Sequence, residues 1–305
     1  MTRPLRLGTR RSALALAQSR QVAGSVTAAL GRRVDLVEIT TRGDTDPAPL
    51  ASIGGTGVFV SALRAALIDA AVDIAVHSMK DLPTLPAPGL VVAAVPPRAD
   101  VRDALVSPTA PAALPPGARI GTGSPRRAAV LRSWGLTPVP LRGNVDSRVA
   151  RVRSGELDGV VLAVAGLARL GIDDLPVHPL DPTQMIPAPG QGALAVETRA
   201  GTTLADDLTA IDDAPTHAAV RAERAALAAL EAGCSAPLGV LGTVASTTLR
   251  LHGRVWPDDG HDPADADVTG HVTDAADLGR DLAATLLHRG AAALSPPPRS
   301  KETAL

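Results

Sequence analysis

Two stretches of the sequence decide the fold, because they show one pattern at distant points of the chain. The first is Leu7-Gly8-Thr9-Arg10-Arg11-Ser12, and the second is Ile120-Gly121-Thr122-Gly123-Ser124-Pro125-Arg126-Arg127. Each reads as a strand end, a Gly-Thr pair, a hydroxyl residue that caps a helix, and a pair of arginines. A strand followed by a capped helix, used twice, predicts two similar α/β lobes with a cleft between them.

Outside these stretches, strands alternate with helices, which predicts mainly parallel α/β sheets. The predicted strands include Leu5–Thr9, Val34–Thr40, Asp73–His77 and Val160–Val164. The predicted helices include Ser12–Leu30, Val58–Ala70 and Asp146–Ser154. Pro96-Pro97 and the polar segment Arg98–Asp103 read as a crossing between the lobes, and Ile186–Glu197 as the segment that returns to the first lobe.

A third region begins with a helix predicted over Thr216–Glu231 and ends with one over Ala275–Ala292, with short strands between them. We therefore predict three domains. The first lobe comprises residues 1–96 and 190–213, the second lobe residues 97–189, and a small C-terminal α+β domain residues 214–305.

Composition excludes several classes of protein. The chain has 305 residues, 45% of them hydrophobic, and a net charge of −1, which is typical of a folded globular protein. A near-zero charge and three aromatic residues exclude a base-stacking nucleic-acid binder. Its one cysteine, Cys234, cannot form an internal disulfide or a multi-cysteine zinc or iron–sulfur site, and we predict no metal.

The beginning of the chain imitates a twin-arginine export signal at Arg10-Arg11. The apolar run that follows, Ala13–Ala17, is too short for the hydrophobic part of such a signal. No stretch approaches the ~20 apolar residues of a membrane span. We expect a cytoplasmic protein with no membrane partner, a location that suits a free thiol.

Several arginines lie at or just after the carboxyl ends of predicted strands, the edge of an open α/β sheet where ligands bind. They are Arg10, Arg126, Arg127, Arg142 and Arg148. Arginine grips carboxylates or phosphates bidentately, and the helix N-termini at Ser12 and Ser124 add N–H groups. The alternative is solvated surface arginine, since 28 of the 30 basic residues are arginines. Five arginines at equivalent strand ends favour a polyanion site.

Two further features carry candidate chemistry. Lys80 and Asp81 follow a predicted strand, where Asp81 is suited to acid/base work or to stabilising a cation, or else merely caps a turn. Cys234 follows a helix end through Gly233 and is either a nucleophile or, as is commoner for a lone cysteine, an inert buried residue.

These residues also resemble one family, porphobilinogen deaminase (hydroxymethylbilane synthase). The resemblance covers about residues 5–240. It rests on Gly8-Thr9-Arg10 with Ser12, Thr41-Arg42-Gly43-Asp44, His77-Ser78-Met79-Lys80-Asp81-Leu82-Pro83, Gly121-Thr122 with Arg126-Arg127, Leu141-Arg142-Gly143-Asn144-Val145, Leu162-Ala163-Val164-Ala165-Gly166-Leu167, Pro189-Gly190-Gln191-Gly192-Ala193, Ala222-Glu223-Arg224 and Gly233-Cys234.

The resemblance implies two lobes like those of type II periplasmic binding proteins and a small domain that carries Cys234. It implies a monomeric transferase of tetrapyrrole and haem biosynthesis, with porphobilinogen as its small-molecule substrate. A dipyrromethane cofactor would be bound to Cys234 through a thioether. Four porphobilinogen units would be joined head to tail, with loss of ammonia, to give hydroxymethylbilane.

The resemblance also assigns roles to individual residues. Asp81 would stabilise the cationic substrate and transfer protons, and Lys80 would bind cofactor carboxylates. The other cofactor- or substrate-binding residues would be Arg10, Ser12, Gln18, Ser124, Arg126, Arg127, Arg142, Asn144, Arg148, Arg169 and Gln191.

Lysines common in the family near the loop Gly54–Gly57 are absent here. The competing hypothesis is a two-lobed module that captures a carboxylate-rich molecule, catalyses nothing and leaves Cys234 unmodified.

Overall fold

The computed structural model describes residues 3–39, 57–231, 236–256 and 262–291. The strands in these ranges are β1 (Leu5–Thr9), β2 (Val34–Glu38), β3 (Ile74–Ser78), β4 (Leu90–Ala94), β5 (Asp103–Val106), β6 (Arg119–Thr122), β7 (Thr137–Pro140), β8 (Gly159–Ala163), β9 (Val177–Pro179), β10 (Leu194–Arg199), β11 (Leu238–Ala245), β12 (Thr248–Val255) and β13 (Ala264–His271). The α-helices are α1 (Ala13–Leu30), α2 (Gly57–Ile68), α3 (Pro125–Ser133), α4 (Val145–Arg153), α5 (Val164–Leu170), α6 (Thr203–Leu208), α7 (Ala214–Ala229) and α8 (Ala275–His288).

Both strand–cap–helix stretches fold as predicted. Ser12 Oγ accepts a hydrogen bond from Ala15 N at 3.3 Å and begins α1, and Gly31 ends that helix at φ 61°. In the second stretch, Ser124 caps α3. Pro125 occupies the first helical position, where its missing N–H leaves no bond unmade. Each helix therefore begins close to the end of the strand that precedes it.

The first two sheets share one topology. The strand order is β2-β1-β3-β10-β4 in the first sheet and β7-β6-β8-β5-β9 in the second. In each sheet the first two pairings are parallel and the last two antiparallel. The expectation of mainly parallel sheets is thus wrong for half of the pairings. The reason is that β10 and β5 each enter their sheet from the other lobe and run against their neighbours.

Two crossings join the lobes, and together they form what we call the hinge, residues 95–102 and 187–193. They are bonded to each other, since Ala99 N donates to Gly192 O at 3.3 Å and Arg98 Nε donates to Gln191 O at 2.8 Å. The expected return of the chain to the first lobe is confirmed by the place of β10. The expected polar crossing ends one residue too late, because Asp103 is the first residue of the buried strand β5.

The third sheet is antiparallel, in the order β11-β12-β13, and α7 and α8 pack against it. Leu251, Leu282 and Leu286 fill its core and are fully buried. Strands β4, β5, β9 and β11 were not predicted from the sequence. Strands β12 and β13 lie close to the strands predicted around Leu249–Val255 and Ala266–Val272, and both helices lie close to their predicted positions. The domain boundaries stay a prediction. None of the helices in the described ranges is both long and apolar enough to span a bilayer.

Candidate functional site

The loop after β3, residues 78–83, places the candidate acid/base at a sheet edge, and we call it the 78–83 turn. Met79 is buried, and its N–H donates to Ala193 O at 3.0 Å, which ties the turn to the hinge. Lys80 is half-buried and Asp81 is exposed. The turn therefore presents an ammonium and a carboxylate at the carboxyl end of a buried strand.

Side chains from two other parts of the molecule hold the 78–83 turn. Gln18 on α1 donates from Nε2 to Ser78 Oγ at 2.9 Å. Arg224 on α7 donates to the backbone carbonyls of the last two residues of the turn at 2.8 and 2.6 Å. Because both anchors lie on helices, the backbone that carries Asp81 is held in place before any ligand arrives.

Gly190 in the hinge packs against the same turn at φ +74°, and an added Cβ would lie 2.8 Å from Met79 Cγ and 3.2 Å from Lys80 N. We expect Gly190→Ala to cost about 1–2 kcal/mol of stability from its left-handed backbone. Displacement of the turn should also lower kcat by about 10-fold or more. The matched control is Gly201→Ala, at φ +67° with no atom within 4 Å. Thermal melting measures the loss of stability, and steady-state kinetics measures kcat. Equal kcat values for the two variants would contradict the role of Gly190 in placing the turn.

On the second lobe, two adjacent arginines of α3 turn inward rather than toward solvent. Arg126 and Arg127 are 2% and 6% exposed. Arg126 Nη2 donates to Asp103 Oδ2 at 2.8 Å, and Arg127 Nη2 donates to Asp103 Oδ1 at 2.6 Å. They also donate to the carbonyls of Ile186 and Val161. The sequence predicted that both arginines line an open cleft. The structure instead shows them buried and paired with the carboxylate of Asp103.

The charges of the 78–83 turn and those of α3 lie within electrostatic reach of each other. Burial lowers the pKa of Lys80, and the positive charges of Arg127 and Arg126 lower it further. The carboxylates of Asp81 and Asp103 act in the opposite direction and raise this pKa. A group from the first lobe therefore shares one low-dielectric environment with groups from the second.

Arg148 on α4 belongs to the same environment. Burial lowers its pKa, Arg127 adds to that effect, and Asp81 opposes it. Its Nε donates to Gly143 O at 2.9 Å, which fixes the base of the side chain. Arg148, Arg127, Lys80 and Asp81 are thus the predicted site residues that the structure brings together most clearly.

The other predicted residues that the structure describes fall into three groups. Ser12, Ser124 and Asn144 are helix caps whose oxygens accept backbone N–H groups, and each keeps a donor for a ligand. Arg10 is half-buried directly after β1, and Arg142 is exposed after β7.

Arg169 and Gln191 instead serve the hinge. Arg169 Nη2 donates to Gly192 O at 3.0 Å, and Nε donates to Gln21 Oε1 at 3.4 Å. Gln191 is fully buried, and its Nε2 donates to Val101 O and to Asp103 Oδ1, both at 2.8 Å. These contacts hold the crossings together, and a ligand-binding role for the two residues stays a prediction.

Cys234, the Thr41–Asp44 motif and residues 54–56 of the glycine loop lie outside the described residues. The described chain ends at residue 231 after α7 and resumes at 236 just before β11.

A buried ion pair between the hinge and α7 was not predicted from the sequence. Arg98 donates from Nη1 and Nη2 to Glu223 Oε1 and Oε2 at 2.6 and 3.0 Å. Glu223 is fully buried and also accepts the N–H groups of Gly190 at 2.6 Å and Gly242 at 2.8 Å. A signal was present: a glutamate between buried alanines of one helix stripe requires a partner.

Asp103 was missed as well. Its signal is an acid at the head of the apolar run Ala104–Val106, where a charge is costly unless it is paired.

Comparison with known proteins decides the family. The family model described as "Porphobilinogen deaminase, dipyromethane cofactor binding domain" matches residues 5–207, and "Porphobilinogen deaminase, C-terminal domain" matches residues 217–288. The chain belongs to the porphobilinogen deaminase family.

Individual relatives agree with the family assignment. Porphobilinogen deaminase 1 of Streptomyces coelicolor is 53% identical over 308 residues, covering 95% of this chain and 97% of that protein. Porphobilinogen deaminase of Mycobacterium tuberculosis is 49% identical over 301 residues, covering 94% of this chain and 97% of that protein.

Among solved structures, a periplasmic substrate-binding protein of Coxiella burnetii is 16% identical, with a TM-score of 0.42, covering 68% of this chain and 91% of that chain.

The described residues fit the dipyrromethane for which the first family domain is named. A dipyrromethane built from two porphobilinogen units bears acetate and propionate groups, so it needs several cations. Arg126 Nε is buried and has no acceptor among the described residues. A buried N–H without a partner is costly, and a ligand carboxylate would satisfy it. Lys80 and Arg148 supply further positive charge nearby, as Arg127 does.

Proposed function

We propose that the protein is a transferase that joins four porphobilinogen molecules head to tail on a dipyrromethane attached to Cys234. One ammonia is released for each unit, and water would cleave the bond between the finished chain and the dipyrromethane to release hydroxymethylbilane. The observation that carries this proposal is that the turn with Lys80 and the exposed Asp81 lies within electrostatic reach of Arg126, Arg127 and Arg148 of the other lobe.

The cations bind the carboxylates of the cofactor and of the growing chain. Each porphobilinogen unit brings one acetate and one propionate, and bidentate guanidinium–carboxylate pairs in a half-buried cleft are strong. We assign this role to Lys80, Arg126, Arg127 and Arg148, with Arg10 and Arg142 at the rim. Ser12, Ser124 and Asn144 supply neutral donors at the starts of their helices.

Asp81 performs the charge chemistry. Loss of ammonia from porphobilinogen leaves a cation, which the many positive groups of the cleft would destabilise. The Asp81 carboxylate stabilises that cation and carries the proton that the ring must lose. Dipyrromethane, when bound, supplies the pyrrole carbon to which the first unit is joined.

Intact-mass measurement with a Cys234→Ser variant tests the proposal. The purified protein is expected to carry an extra mass equal to two linked pyrrole units and to gain further units with porphobilinogen. Cys234→Ser should lose all of this mass, because the chain has no second thiol. Ser235→Ala is the matched control and should keep it. An active protein without the extra mass would contradict the covalent mechanism.

The same measurement separates an enzyme from a binding module. A module would bind porphobilinogen reversibly, gain no covalent mass and release no ammonia. We also propose that the protein is a monomer that acts in the cytoplasm; the family resemblance supports the monomer, and the single cysteine suits the location. Sedimentation of the purified protein tests the monomer.

A further inference from the structure

Three side chains with predicted binding roles donate hydrogen bonds to one carboxylate, that of Asp103. The proposed function assigns this carboxylate no role. Asp103 is fully buried. It accepts from Arg126 Nη2 at 2.8 Å, from Arg127 Nη2 at 2.6 Å and Nε at 3.2 Å, and from Gln191 Nε2 at 2.8 Å. Its two oxygens thus take four donors from a helix of the second lobe and from the hinge.

This arrangement solves an electrostatic problem. Two guanidinium groups buried side by side repel each other, and neither can be left in a dry interior without an anion. Asp103 lies between them and gives one oxygen to each. Arg127 uses both Nε and Nη2 on a single oxygen, so the plane of its guanidinium is fixed. The remaining N–H groups then have defined directions.

Asp103 also connects the arginines to the hinge. Gln191 lies on the returning crossing, and the same Nε2 that reaches Asp103 also donates to Val101 O at 2.8 Å on the outgoing crossing. Gln191 O in turn accepts from Arg98 Nε at 2.8 Å. A change in the conformation of the hinge would therefore displace the arginine side chains of α3, because Asp103 is bonded to both.

We propose that Asp103 is a positioning residue of the carboxylate-binding site. It holds Arg126 and Arg127 side by side and anchors them to the hinge through Gln191. The N–H groups that Asp103 does not occupy, including Arg126 Nε, are thereby left for carboxylates of the cofactor and substrate. The inference rests on the proposed function and deepens it. Asp103 itself touches no ligand, since four protein donors occupy its oxygens.

Asp103→Asn tests the proposal because it keeps the shape and removes the charge. The arginines lose their shared anion, so we expect the KM for porphobilinogen to rise about 10-fold or more. The fraction of protein that carries the dipyrromethane mass should fall as well. A merely structural Asp103 would give a lower melting temperature and fewer active molecules with an unchanged KM. Asp100→Asn is the control, since Asp100 pairs with Arg102 on the same crossing and is partly exposed.

A second readout needs no turnover. Arginine Nε–H signals in ¹⁵N spectra report the surroundings of Arg126 and Arg127 directly. We expect both signals to move in Asp103→Asn and to return toward their original positions in Asp103→Glu, which restores the charge. If Asp103→Asn fails to fold, Gln191→Ala, which removes one donor and no charge, should shift the same signals and raise KM by a smaller factor.

The outcomes separate this inference from the function on which it rests. Wild-type protein that consumes no porphobilinogen would overturn the proposed function. An active wild type, together with Asp103→Asn or Gln191→Ala variants whose KM and arginine signals are unchanged, would overturn only the role of Asp103.

Discussion

Replacing Asp81 by alanine is expected to lower kcat by about 100- to 1,000-fold while the protein stays folded and keeps its covalent pyrrole units. The side chain is exposed, so its loss removes little packing. Its surroundings are cationic, since Lys80 and Arg148 lie within its electrostatic reach and Arg127 lies within reach of both of them. The nearby Asp103 is already occupied by two arginines. A substrate that becomes positive would then lack the accessible carboxylate that the turn supplies.

Three measurements check this expectation. Steady-state kinetics gives kcat and KM, intact mass gives the cofactor content, and thermal melting gives the stability of each variant. Asp81→Glu should lose less activity than Asp81→Ala, because it keeps the charge and changes only its position. Asp69→Ala removes an exposed acid beyond the end of α2 and should leave kcat unchanged. Near-normal product formation by Asp81→Ala would refute the assigned role.

Local structure was predictable wherever neighbours in sequence decide it. The caps at Ser12 and Ser124 and the stop at Gly31 set the bounds of α1 and the start of α3, and each depends on groups within a few residues. The positions of Lys80 and Asp81 after β3 were predictable for the same reason. The repeated stretch also indicated two similar lobes, which the shared strand order of the first two sheets confirms.

Contacts between distant residues were not predictable. Nothing near Arg126 indicates that its partner is Asp103, 23 positions earlier in the chain. In a chain rich in arginine, a buried ion-paired guanidinium and a solvated one look alike in sequence. The antiparallel insertion of β5 and β10 has the same origin, because it depends on where each crossing enters the neighbouring sheet. The site was therefore predictable as a set of residues but not as a network.

Replacing Glu223 by alanine is expected to cost about 3–5 kcal/mol of stability, the largest loss that we predict. Arg98 would be left as a buried cation without its anion, and the N–H groups of Gly190 and Gly242 would lose their acceptor. Denaturant unfolding with urea measures this loss directly. Glu156→Ala is the matched control. It removes an exposed glutamate that pairs with Arg151 on the surface, where solvent screens the charges, and it should leave stability nearly unchanged.

A double variant separates the charge from the packing. Arg98→Met combined with Glu223→Leu removes both charges and keeps apolar volume, so it should recover much of the stability that Glu223→Ala loses. It cannot restore the acceptor for Gly190 N, which lies against the 78–83 turn. We therefore expect the double variant to be stable but still low in kcat. If kcat returned together with stability, the ion pair would serve the fold alone and would not position the turn that carries Asp81.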